Sequence, residues 1–194
     1  MYVGFNSHAV LLTTKEPNTM KRLTISTLAL ALVAAGCGGG TSSTAPTISS
    51  IATFTADLRT SNEVPPIANA ESGGSGNVTI TFDITRDADK NITAATARFV
   101  VNLSGFPANT SIILSHIHQA AAGVNGSVVV NTGLSAGTPV LLANGSGSFE
   151  RSGIVVSPVD VATQVLANPA AFYFNSHTPL NPGGVVRGQL TRVQ

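Results

Sequence analysis

The chain has 194 residues, 43% of them apolar and only 10% charged, with a formal net charge of +1. That length fits about one domain of ordinary size, and the composition is too apolar and too weakly charged for a disordered tail. From Cys37 onward seven basic residues meet eight acidic ones, a net charge of −1 with no basic stripe, so a nucleic-acid partner has no electrostatic support.

Glu16 and Pro17 interrupt the segment ahead of Lys21-Arg22. Residues 1–19 therefore read as an upstream extension, with translation starting at Met20. Lys21-Arg22 precede an apolar run over 23–33, broken only by Thr24, Ser26 and Thr27, and Ala34-Ala35-Gly36-Cys37 follow. A basic start, a short apolar stretch and small residues form a secretory signal over 20–36. The apolar run is about half of what a bilayer-spanning helix needs.

The segment Val33-Ala34-Ala35-Gly36-Cys37 resembles the bacterial lipobox, with Ala34 where Leu is usual. The resemblance implies that the leader is cut before Cys37 and that the cysteine is acylated. Cys37 is the only cysteine, so the exported chain has no internal disulfide to form. Each buried methylene contributes about 0.8 kcal/mol, so one acyl chain holds weakly and several hold firmly. Gly38 stands where Asp would resemble an inner-membrane retention signal. The expected address is a bacterial membrane, the outer one where there are two, facing the periplasm or the exterior. Residues 37–50, with the run GGGTSSTAPTISS from Gly38, read as a flexible tether. The expected partners are the membrane, through this lipid, and an envelope or extracellular ligand.

Past the tether, Val and Thr favour strands while Gly and Asn favour turns. Residues 51–58 form the first predicted strand. Over 76–84, Val78, Ile80, Phe82 and Ile84 share one face and Thr79, Thr81 and Asp83 the other, the pattern of a half-buried strand. The polar turn 86–91 leads to a hairpin partner over 92–103, with Phe99, Val101 and Leu103 on one face. Residues 111–118, 127–131, 147–155, 171–177 and 185–193 complete about eight strands. One short helix is predicted to about residue 167, with Ser157 as cap, Pro158 at the first position and Asp160 in the first turn. Many short strands between turn signals indicate an all-β sandwich or barrel.

Three segments together resemble the chordin (CHRD) domain: Leu58 to Pro66 with Glu63-Val64-Pro65-Pro66; His116-Ile117-His118 followed by Gly123 and Gly126; and Phe172 to Leu190, with Asn175, His177, Thr178, Gly183-Gly184 and Arg187-Gly188-Gln189. The resemblance covers roughly 51–192 and makes 51–194 the folded domain. It departs at Val185, where the family often has Glu, and in the longer spacing from His118 to Gly123. It implies an immunoglobulin-like antiparallel β-sandwich and does not imply a catalytic activity. The His-x-His strand also faintly resembles copper/zinc superoxide dismutase, whose further histidines and disulfide are missing here.

His116 and His118 project to one face because they lie two apart on a strand. The family pattern brings His177 close to them. Three imidazoles at a sheet end suit Zn²⁺ or Cu²⁺. They equally suit a structural role, tying strands through hydrogen bonds to backbone, Asn175 or Thr178. A metal there needs acceptors that fix each tautomer, for which Asn175, Glu63 and Asp160 are the candidates. Arg187 reads either as an anion-binding guanidinium beside the histidines or as a bidentate partner of Glu63. No Ser-His-Asp order, nucleophilic cysteine, paired-carboxylate motif or phosphate loop stands out, and Ser115 points away from His116. The expected function is a non-enzymatic binding or structural module. The alternative is a copper or zinc protein using His116, His118 and His177, with redox chemistry at copper.

Overall fold

Alternation of period two builds the core. The structure, a computed structural model, describes residues 47–194; the extension, the signal segment, Cys37 and the tether to residue 46 lie outside the described residues. The elements in chain order are β1 (Ile48–Arg59), β2 (Ser75–Arg86), β3 (Ile92–Ser104), β4 (Thr110–Ile112), β5 (Leu114–Gln119), β6 (Ser127–Asn131), β7 (Val140–Leu142) and β8 (Gly147–Val155). They continue with α1 (Asp160–Ala167), β9 (Phe172–His177), β10 (Val186–Gln189) and β11 (Thr191–Arg192). The fold is all-β and antiparallel, as the sequence predicts. Among the described residues no helix is long and apolar enough to cross a membrane.

One nine-stranded sheet runs β6-β5-β9-β10-β1-β2-β3-β8, with β11 also on β1, and β4 and β7 pair separately. The register of β10 on β1 is the single pair Arg59↔Arg187, so the sheet turns over at this junction. Three strands separate β3 from β9 along the path, yet the rings of Phe99 and Phe174 stand 6.0 Å apart. The two halves therefore face each other, as in a sandwich. The core between them takes alternate residues: Ala52, Phe54, Ala56 and Leu58 of β1; Val78, Ile80, Phe82 and Ile84 of β2; Phe99, Val101 and Leu103 of β3. Phe54 and Phe82 meet edge to face at 5.5 Å, a favoured aromatic geometry.

Several boundaries differ from the sequence reading. β1 begins at Ile48, three residues inside the segment read as tether, because Ile48, Ser49 and Ser50 pair with Arg86, Thr85 and Ile84. The predicted strand 111–118 divides between β4 and β5, and the one over 185–193 between β10 and β11. The helix starts at Asp160, with Val159 at the cap position and no side-chain cap; Ser157 is not the cap, and the Ser157–Pro158 peptide is cis. Val161, Ala162 and Val165 are its buried residues, spaced as one helical face.

Candidate metal centre

The β5-β9-β10 layer is buried on both faces. One face carries Ile117, Phe174 and Val186 into the core. The other is polar: cross-strand pairing sets Leu114 opposite His177, His116 opposite Asn175, His118 opposite Tyr173, and Asn175 opposite Arg187. Residues opposite each other point to the same side. His116, His118, Tyr173, Asn175, His177 and Arg187 thus form one polar layer, in which every side chain is at least nine-tenths buried. Ser115 points the other way and meets Ser176 at 2.9 Å.

His116, His118 and His177 converge, each offering one ring nitrogen within 4.8 Å of the others. His118 Nδ1 donates to the carbonyl of Gly126 at 2.9 Å, and His177 Nδ1 to that of Pro182 at 2.9 Å. With those protons committed, the Nε2 atoms of both rings carry lone pairs. His118 Nε2 is buried and has no hydrogen-bond partner. His177 Nε2 lies 3.2 Å from His116 Nδ1 and 3.1 Å from Asn175 Oδ1. Burial, with the neighbouring His177 and His118 adding to it, pushes His116 down to about 4. Burial also lowers His118, against the carbonyl of Gly126, and His177, against that of Pro182. Asn175 stands near enough to His118 to raise its proton affinity without the alignment of a hydrogen bond. Burial therefore favours the neutral form of all three rings, the state that binds a metal.

Tyr173 stacks flat on His118 with ring centroids 4.7 Å apart, and the Arg187 guanidinium carbon lies 3.5 Å from the centroid of the Tyr173 ring. Arg187 donates to Asn125 Oδ1 at 3.0 Å, to the Ala121 carbonyl at 3.4 Å, and to the Val124 carbonyl. Gln189 donates to the Ala120 carbonyl, and the Gly126 N–H to the Tyr173 hydroxyl. Residues 120–126 are thereby fastened over the polar layer.

The bidentate Glu63–Arg187 pair does not form. Among the described residues the one ion pair is the exposed Arg98–Glu150. The Arg187 guanidinium is spent on residues 121–125, while the Glu63 carboxylate packs against Gly184, where a Cβ would come within 2.6 Å of it. Glu63 Oε1 is buried without a partner. Burial pushes Glu63 up to about 7, against the pull of Arg187. Glu63 and Arg187 instead share a cleft of about 580 Å³ with Asp57, Asn62 and Gln189.

Thr178 does not reach the imidazoles by a hydrogen bond. It donates to Glu71 Oε2 at 2.6 Å, and Asn181 Nδ2 donates to the same oxygen at 2.5 Å. Of the acceptors named from sequence, Asp160 binds Gln164 on its own helix, and backbone carbonyls take the expected role. Tyr173 was not named from sequence, although in Phe-Tyr-Phe-Asn-Ser-His the alternation puts it on the face of Asn175 and His177. Glu71 and the carbonyls of Gly126 and Pro182 carry no such signal.

The CHRD domain profile matches residues 54–190, most of the chain. The chain belongs to the CHRD family. Comparison with curated proteins and with solved structures finds no match. The matched span of this CHRD chain starts inside β1, ends at Leu190 just past β10, and contains His116, His118 and His177 with the carbonyls of Gly126 and Pro182.

Proposed function

We propose that this CHRD chain is an exported, lipid-anchored module that binds rather than catalyses, and that His116, His118 and His177 hold a divalent transition metal, zinc or copper. One observation carries the metal reading: His118 Nε2 is a buried lone pair with no partner, converging with two further neutral imidazoles. A histidine that only ties strands needs a partner for each nitrogen, since an unmet buried polar group costs about 1–3 kcal/mol. The Nδ1 contacts to Gly126 and Pro182 supply the carbonyl acceptors that usually orient metal-bound histidines. In a tetrahedral site with bonds of about 2.0–2.1 Å, ligand atoms stand about 3.3 Å apart. The His116–His177 pair, at 3.2 Å, already has that spacing.

The test is metal content after incubation of the purified chain with zinc or copper. A filled site gives close to one metal per chain, lost on His118→Ala. Less than about 0.1 metal per chain ends this reading. A copper-loaded sample is the one to assay for dismutation. The anchor rests on the lipobox-like segment before Cys37 and on the Gly/Ser/Thr-rich run after it. Fatty-acid labelling of the exported protein should disappear on Cys37→Ser, and the variant should leave the membrane fraction; labelling that persists refutes the anchor.

A further inference from the structure

We infer that Asn175 is the fourth ligand of this metal, through Oδ1, and that the centre is thereby closed to exogenous anions. The inference rests on the metal reading above. β9 lies between β5 and β10, so Asn175 emerges beside His116 on one side and Arg187 on the other. Its side chain is 2% exposed and stands within the imidazole cluster. Oδ1 lies 3.1 Å from His177 Nε2, almost the same separation as that between His116 Nδ1 and this nitrogen. Both match the spacing of two ligands on one tetrahedral metal, about 3.3 Å.

Chemistry points the same way. His177 Nδ1–H is given to Pro182, so Nε2 is an acceptor; the amide oxygen is an acceptor as well. Two buried acceptors in contact repel unless a proton or a cation lies between them. His116 can supply one proton to Nε2, but none to Oδ1. His118 Nε2 adds a third lone pair with no donor. A cation at their common centre satisfies all of them at once, and three imidazoles with one amide oxygen complete a four-coordinate shell. Because the three histidine atoms lie within 4.8 Å of one another, closing on a metal requires any pair to contract by no more than about 1.5 Å relative to the tetrahedral spacing.

The experiment uses the full-length chain loaded with Co²⁺, whose visible spectrum reports coordination number, with azide as the anion probe. The wild-type spectrum should not change with azide. Asn175→Ala should bind Co²⁺ at least tenfold more weakly and acquire an azide-dependent spectrum. Asn175→Asp, which keeps an oxygen ligand and adds charge, should bind more tightly and stay silent to azide; it serves if the alanine variant does not fold. A wild-type spectrum that shifts with azide, or wild-type affinity in Asn175→Ala, overturns the inference and leaves the metal reading standing. Weaker binding without azide sensitivity also overturns it, since the amide then acts with its N–H₂ group turned inward. Wild-type chain that takes up no Co²⁺, Zn²⁺ or Cu²⁺ removes the metal reading and this inference together.

Discussion

The phenol ring of Tyr173 lies 5° from parallel with the imidazole of His118, and its opposite face carries the guanidinium of Arg187. This three-layer stack links the histidine cluster to the cleft that Arg187 and Glu63 line. A desolvated cation–π contact is worth about 2 kcal/mol, and aromatic pairing about 0.5–1.5 kcal/mol beyond burial. Tyr173→Leu should therefore cost about 3 kcal/mol in urea denaturation. Tyr173→Phe keeps the stack, loses only the contact with the Gly126 N–H, and should cost about 1 kcal/mol. Equal losses in the two variants would mean that the stack contributes nothing.

Arg187 is 1% exposed and serves three acceptors in 121–125. A lysine carries its donors on one nitrogen and lacks the planar fork by which Nη1 serves Asn125 and Nη2 serves Ala121 and Val124. Arg187→Lys should destabilise by about 2–4 kcal/mol and speed amide exchange over 120–126 before the rest of the domain. Uniform exchange across the domain would show that these residues are held by other means.

Glu63 gives a pH dependence of defined sign. Its carboxyl keeps a proton up to about 7 in the folded chain, against a value of 4.5 without the fold. Between those values the folded state binds more protons than the unfolded one, so this group's contribution to stability falls as pH rises from 4.5 to 7 and is constant above. Glu63→Gln removes that slope. Its stability relative to wild type should rise between pH 5 and pH 8, by at most on the order of 3 kcal/mol. A pH-independent difference between the two proteins would refute the burial of an ionisable Glu63.

Gly184 has φ +133°, a region that side-chain-bearing residues avoid, and a Cβ there would meet Glu63 Oε1 at 2.6 Å. Gly184→Ala should cost about 1–3 kcal/mol. In a Glu63→Ala background the collision disappears while the backbone cost stays, so the alanine penalty should shrink but not vanish. Full additivity in the double-mutant cycle would place the whole cost in the backbone.

The alternation of Val78, Ile80, Phe82 and Ile84 was legible because a half-buried strand writes its period directly into the sequence. The shared face of His116 and His118 followed from the same parity. The short strands β4, β7 and β11 were not legible as separate elements, since two or three residues carry no period. Ser157 has the residue type of a helix cap, but the helix starts later and uses no side-chain cap. The Glu63–Arg187 pair failed for a different reason. Sequence identifies opposite charges but not competing acceptors, and the carbonyls of Ala121 and Val124 occupy the guanidinium.

β1 lies in the interior of the sheet and matches β2 residue for residue, from Ile48 with Arg86 to Arg59 with Ser75. Whatever precedes Ile48 therefore enters along a strand whose cross-links lie side by side. A pull directed along β1 from that end loads the twelve paired positions in shear together, rather than opening them one rung at a time.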